Sequence, residues 1–201
     1  LRVLLGENKV CGLTRAEDAQ AAYEAGAVYG GLIFVDTSPR AVSDEQAQAV
    51  ISAAPGLRYV GVFRNAPVAD VVSRAQRLGL AAVQLHGTED QQYVNALRAA
   101  LPAAVQIWKA LSVTSSLPAR DYQHVDKYLF DNGQGGSGER FDWSLLAGQR
   151  LDNVLLAGGL GADNCVEAAR AGCAGLDFNS GVEREPGIKD ASKLASVFRT
   201  L

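Results

Sequence analysis

The chain has no methionine, and its 201 residues include only three cysteines and two histidines. Cys11, Cys165 and Cys173 form no C-x-x-C pair, and an odd count argues against a disulfide framework or a thiol-rich metal site. Sparse, unpaired thiols fit a reducing cytoplasm. With His86 and His124 the only imidazoles, a histidine-rich metal centre is not expected either. Basic residues are not in excess: 19 Lys and Arg stand against 22 Asp and Glu, a formal net charge of −3. Neither nucleic acid nor an anionic membrane surface is therefore the expected partner. An anionic small molecule would need a local positive site. Long apolar runs are missing too: none reaches membrane-spanning length, and no signal peptide opens the chain. The opening "LRVLLGENK" reads as a domain taken from a longer chain or as an engineered form.

What is present is a repeat of short apolar segments. With 48% hydrophobic and 20% charged residues, the composition is that of a soluble globular protein. The length suffices for one sizeable core. Apolar, β-branched-rich runs fall at 8–13, 27–34, 58–64, 81–86, 105–111, 127–132, 153–160 and 175–182. These eight candidate strands start roughly every 19–31 residues, the spacing of repeated βα units. Several are apolar nearly throughout, as parallel strands covered on both faces should be.

Helical patterns fill most gaps. Thr14-x-x-Glu17, Ser43-x-x-Gln46 and Thr88-x-x-Gln91 read as capping boxes. Asn65 and Asp142 are further candidate caps, and Gly26, Gly79 and Gly172 stand where helices should stop. "ADNCVEAARAG" and "DASKLASVFRTL" supply the last two helices. The segment "SVTSSLPARDYQHVD" has Pro118 and no clear 3.6 period, so the fifth helix is expected to be missing or irregular. The pattern predicts a minimal (β/α)8 barrel over 1–201 as a single domain. An open doubly wound sheet is the alternative, weakened by the lack of G-x-G-x-x-G after the first strand.

In such a barrel the site lies at the C-terminal ends of the strands, and side chains alternate between the interior and the helix layer. Strand one then places Lys9 and Cys11 on one face, with Val10 opposite. Strand four gives Gln84 and His86, strand six Leu129 and Asp131, and strand eight Asp177 and Asn179. Each polar group alone has a bland reading, and Cys11 alone is more often a small buried hydrophobe. Four strands turning polar groups to one side is the signal.

Two loops suit an anion. "LAGGLGADN" follows strand seven and carries Gly158 and Gly159; "DFNSGVE" ends strand eight with Asn179, Ser180 and Gly181. Barrel loops seven and eight often hold phosphate, because glycine lets backbone N–H groups approach it. Ordinary turn chemistry is the alternative. Arg40, in "DTSPR" after strand two, either grips a carboxylate or is solvated. "DNGQGGSGERFDW" after strand six reads as a mobile loop closing over ligand. Cys165, Cys173, Trp108 and Trp143 read as packing residues.

With these pieces in order, the chain resembles the phosphoribosylanthranilate isomerases of tryptophan biosynthesis. The motifs are "KVCGLT", "GLIF" with "SPR", "VGVFRN", "VQLHG", "DNGQGGSGERFDW", "LAGGL", and "DFNSGVE" followed by "PGIKD", spanning essentially the whole length. The "LLGENKVCGLTR" opening is similar to the form fused behind indole-3-glycerol-phosphate synthase. The resemblance implies an Amadori rearrangement of N-(5-phosphoribosyl)anthranilate without cofactor or metal, in a monomeric domain. It implies Cys11 as general base, Asp131 as general acid, and Arg40 on the anthranilate carboxylate. Loops seven and eight are implied to bind the phosphate.

The chemistry needs such groups. Opening the furanose requires a proton on the ring oxygen, which a carboxylic acid kept protonated by burial or a nearby anion can supply. The Schiff base then loses its C2 hydrogen to a base. A free thiol is only about a few per cent thiolate at pH 7, and an inward-facing Lys9 would lower its pKa. His86 either contacts substrate or is structural. Asp177 orients Cys11, Lys9 or a substrate hydroxyl, or simply pairs with Lys9; Lys109 is a further candidate for such a pairing. Two rivals carry less. The sister aminoaldose isomerase of histidine biosynthesis would need a carboxylate on strand five, which ends in "WKALS". A non-catalytic phosphate-binding module would have no use for Cys11 and Asp131.

Overall fold

The eight apolar runs pair edge to edge in chain order and close on themselves. The structure is a computed structural model that describes residues 6–133 and 139–201. The strands are β1 (Lys9–Val10), β2 (Tyr29–Ile33), β3 (Arg58–Phe63), β4 (Ala82–Leu85), β5 (Gln106–Ser112), β6 (Lys127–Asp131), β7 (Val154–Ala157) and β8 (Gly175–Phe178). All pair in parallel, and β1 closes the ring with Lys9 opposite both Tyr29 and Asp177. The expected (β/α)8 barrel is thus the architecture. Most strands are shorter than the apolar runs, because the last residues of most runs leave the ladder at the mouth; β5 instead runs one residue past its apolar run.

Among the described residues six helices pack outside: α1 (Ala16–Ala25), α2 (Asp44–Ala53), α3 (Val68–Leu78), α4 (Gln91–Ala100), α5 (Cys165–Arg170) and α6 (Ala191–Thr200). No helix separates β5 from β6, as Pro118 and the missing period predict. Among the described residues between β6 and β7 the one helical element is a 3-10 turn, Trp143–Leu146, opened by Asp142 accepting the Ser144 N–H. After β8 the chain forms an unforeseen hairpin, β9 (Glu183–Glu185) with β10 (Ile188–Lys189). The glycine-rich stretch expected to close over ligand, 134–138, lies outside the described residues. Among the described residues no helix is long and apolar enough to cross a membrane.

Ser43 and Gln46 form the expected capping box. Asp142 caps as expected too, whereas the boxes at Thr14 and Thr88 and the cap at Asn65 are corrected. Thr14 donates instead to the Gly187 carbonyl in the β9–β10 hairpin, and α1 starts after Arg15, whose side chain makes no capping bond. Asn65 accepts from Thr88, tying the loop after β3 to the loop after β4, while Pro67 opens α3. Asp90, not Thr88, caps α4 by accepting from the Tyr93 N–H. These short polar side chains sit at the strands' C-terminal side, where neighbouring loops compete with helix ends for their hydrogen bonds. Gly26 and Gly79 close α1 and α3 as expected, and Gly172 follows α5.

The alternation along the strands builds two cores. Outside the ring, Val10, Leu32, Phe63, Leu85, Phe130 and Phe178 pack under the helices, together with Cys165 and Cys173. Inside, β2 to β7 contribute Tyr29, Val60, Ala82, Trp108, Leu129 and Leu155, which plug the barrel beneath the mouth. Tyr29 and Trp108 meet edge to face with centroids 4.9 Å apart. This plug is the floor on which the site rests. Trp108→Ala should therefore lower the unfolding free energy by about 3–5 kcal/mol, read from urea denaturation. A loss below about 1 kcal/mol would mean that the plug is not what holds the ring.

Candidate active site

Above the plug the same inward-facing register continues with polar groups. Cys11 follows β1, His86 follows β4, Asp131 ends β6 and Asn179 follows β8. With Gln84 and Asp177 they line one cavity of about 320 Å³. Arg40, Gly158, Gly159, Ser180 and Gly181 line it too. Lys9 lies just beneath, with no exposure, so the structure gathers every predicted site residue at one place.

The floor of the cavity is a hydrogen-bonded chain. Lys9 Nζ donates to Gln84 Oε1 at 3.0 Å and to Asp177 Oδ2 at 3.2 Å. Gln84 Nε2 lies 3.2 Å from His86 Nδ1, and His86 Nε2 lies 3.3 Å from Asp131 Oδ2. The Gly133 N–H donates to Asp131 Oδ1 at 2.8 Å. Asp177 Oδ1 is buried with no hydrogen-bond partner among the described residues. A buried carboxylate oxygen left without a donor is costly, which marks it as a position for a ligand hydroxyl.

Burial raises the Cys11 thiol above its ordinary value, and Asp177 adds to the rise. Lys9 is the largest opposing pull and Lys189 a smaller one. Lys9 thus pulls the thiol in the expected direction, but desolvation outweighs it. Burial also works to lower Lys9, yet Asp177 and Cys11 hold it up, so it stays a cation. Asp177 is raised by burial against the pull of Lys9.

Arg40 is neither solvated nor fully available. Its Nε donates to both Glu183 oxygens, at 3.2 and 3.0 Å, and its Nη2 donates to Oε1 at 2.7 Å. Glu183 also accepts from Lys189 Nζ at 3.2 Å and the Gly187 N–H at 2.9 Å. Burial works to raise Glu183, but Arg40 and Lys189 outweigh it and hold the carboxyl below its usual range. The hairpin thereby clamps one edge of Arg40, and among the described residues Nη1 has no hydrogen-bond partner. Lys109, a candidate for pairing inside the barrel, faces the helix layer instead and pairs with Glu89 at 2.9 Å.

Loops seven and eight form one cradle. Gly158 and Gly159 have φ of 97° and 65°, where side chains are strained. A Cβ on Gly181 would sit 1.8 Å from the Leu160 carbonyl oxygen, so only glycine lets the two loops touch. Lys189 stands behind this cradle, donating to Asn179 Oδ1 at 3.0 Å.

The sequence matches the family model for N-(5'-phosphoribosyl)anthranilate (PRA) isomerase over residues 8–200. The chain belongs to this family. Tryptophan biosynthesis protein TrpCF of Salmonella typhi is 77% identical over 200 residues, covering 100% of this chain but 44% of that protein. The chain thus spans less than half the length of that relative. A PRA isomerase from Thermus thermophilus has the same fold, with TM-score 0.84, 35% identity, and coverage of 96% of this chain and 97% of that one. A PRA isomerase in complex with reduced 1-(o-carboxyphenylamino)-1-deoxyribulose 5-phosphate aligns with TM-score 0.81 and 29% identity, over 96% and 97% of the two chains.

Set beside the family's motifs, sequence reading missed Glu183 and Lys189. The "PGIKD" segment was the available signal, but pairing across the hairpin and back to Arg40 is not visible in it. Arg64, which closes "VGVFRN", also lines the cavity without having been singled out. The buried state of Cys11 has a measurable sign. A raised pKa keeps the proton on sulfur to higher pH, so alkylation of Cys11 by iodoacetamide should pass its midpoint at higher pH in the folded protein than in urea. Mass spectrometry of the Cys11 peptide reads this; a lower folded midpoint would mean that Lys9 and Lys189 prevail over burial.

Proposed function

We propose that this barrel catalyses the Amadori rearrangement of N-(5'-phosphoribosyl)anthranilate to 1-(2-carboxyphenylamino)-1-deoxyribulose 5-phosphate, the isomerase step of tryptophan biosynthesis. The observation that carries the reading is one cavity faced by a thiol from β1, a carboxyl from β6 and a two-loop glycine cradle. The bound carboxyphenylamino-deoxyribulose phosphate of the relative described above is the product skeleton in reduced form. It supports the same ligand class here.

In this reading Asp131, as general acid, protonates the furanose oxygen as the C1–O bond breaks. The Schiff base that results acidifies C2–H, and Cys11 takes that proton as general base. The enolamine formed is protonated at C1 and its hydroxyl becomes the ketone. Gly158, Gly159, Ser180 and Gly181 hold the phosphate with Asn179, remote binding that positions the sugar for both proton transfers. The free Nη1 edge of Arg40 holds the anthranilate carboxylate, and Asp177 Oδ1 accepts from a substrate hydroxyl. His86 aligns Asp131. The chemistry is proton transfer alone, with no cofactor or metal. By the same reading the chain is the isomerase part of a cytoplasmic protein fused to indole-3-glycerol-phosphate synthase, and is itself monomeric.

Cys11→Ala and Asp131→Asn should each lower kcat by about 10²–10⁴-fold while the circular dichroism spectrum is unchanged. Turnover is followed as the loss of anthranilate-adduct fluorescence, with the aminoaldose substrate of histidine biosynthesis as control. A variant turning over at the parent rate would remove that residue from its role. Arg40→Ala should mainly raise KM. An unchanged kcat/KM would place the carboxylate elsewhere, with Arg64 the next candidate.

A further inference from the structure

The geometry points to a positioning role for Gln84: we infer that its amide fixes which nitrogen of His86 carries the proton, and so aims an N–H at Asp131. This rests on the reading of Asp131 as the acid and adds a residue that reading does not use. Lysine has only donors, so Lys9 Nζ at 3.0 Å can face only the carbonyl oxygen of the Gln84 amide. Flipping the amide would set donor against donor in a fully buried place. The amide nitrogen is thereby turned to His86 Nδ1 at 3.2 Å. An amide nitrogen only donates, so Nδ1 accepts and carries no proton. The single imidazole proton sits on Nε2, which faces Asp131 Oδ2 at 3.3 Å.

Each link dictates the next. Asp177 holds Lys9, Lys9 orients Gln84, Gln84 sets the tautomer of His86, and His86 donates to Asp131. The Gly133 N–H takes the other carboxyl oxygen, so both oxygens of Asp131 are held in place. With the opposite tautomer Nε2 would offer a lone pair, and a protonated Asp131 would spend its proton on a hydrogen bond to His86 instead of turning it to the ring oxygen. Gln84 has 1% exposure, with its amide oxygen engaged by Lys9 and its amide nitrogen by His86, and it acts through them.

Only two histidines are present, and His124 is exposed, so nitrogen-15 histidine labelling gives one site signal and one internal reference. In the parent protein His86 should show a bare Nδ1 and a protonated Nε2. A protonated Nδ1 overturns the inference without any variant, and independently of turnover. Gln84→Glu keeps a partner for Lys9 but offers His86 only an acceptor, so it should move the proton to Nδ1. It should also lower kcat by about tenfold or more with KM little changed. A tautomer switch with parent kcat, or a kcat loss with the parent tautomer, counts against it. The third arm needs no change at Gln84: in His86→Gln a side-chain N–H can replace Nε2–H, so this variant should keep clearly more kcat than His86→Leu. Equal losses would overturn the proposal. Failure of the acid role itself reads out separately, as turnover surviving in Asp131→Asn.

Discussion

The barrel closes where β1 meets β8, and at that seam two opposite charges stand in register. Lys9 and Asp177 are direct partners across the strands and pair at 3.2 Å, both buried. Burying a charge is unfavourable unless it is paired and hydrogen-bonded, so neither residue is tolerable there without the other. Their pairing favours closure in one register. A slip of β1 by one residue would turn Lys9 into the apolar helix layer and Val10 inward. The same pair also sets the chemistry above it. Lys9 is the cation nearest the Cys11 thiol in effect, and Asp177, whose Oδ1 has no hydrogen-bond partner among the described residues, lines the cavity. Closure of the fold and electrostatics of the site are one interaction.

A second ionic cluster does for the rim what the first does for the floor. Arg40 comes from the loop after β2, and Glu183 and Lys189 from the hairpin after β8. The two loops flank β1 and therefore flank Cys11. Glu183 accepts from Arg40, Lys189 and a backbone N–H, so its buried charge is well compensated. The guanidinium fork is held flat by this bidentate contact, which costs less entropy than ordering a free arginine when an anion arrives. Burial lowers Lys189 from its ordinary value, more than Glu183 and Cys11 restore.

Most of this layout was legible because the side-chain period of a strand is short and strict. Once the eight runs are taken as parallel strands, the inward set follows by counting: Lys9 and Cys11, Gln84 and His86, Leu129 and Asp131, Asp177 and Asn179. What was not legible depends on contacts between distant parts of the chain. Arg40 and Glu183 are separated by 143 positions, and no local pattern signals their bond. Thr14, Asn65 and Thr88 look like helix caps because capping is a local rule. At the barrel mouth other loops lie as close as the helix ends, and they win. The downward pull of Lys9 on Cys11 was legible too, but the net shift was not, for a related reason. Lys9 two residues away is visible in sequence, but the full depth of burial that outweighs it is a property of the closed ring.

In the proposed reading Cys11 is the base, and a raised thiol is an awkward one, but the layout around it limits the loss. Each unit by which burial raises the thiol lowers the thiolate fraction about tenfold at neutral pH, or about 1.4 kcal/mol. The thiolate that does form is a stronger base, but with a Brønsted slope near one half it gains only about threefold. Burial alone is therefore a net cost to proton abstraction. Lys9 and Lys189 both act to recover it, and neither of them lines the cavity. They stabilise the thiolate from behind, leaving open the cavity face that the proposed reaction turns to C2. A cation in front would lower the thiol further but would also cover the lone pair that takes the proton. Placing Lys9 one pleat below Cys11 on the same strand, and fixing it there with Asp177 and Gln84, keeps the cation close and out of the way.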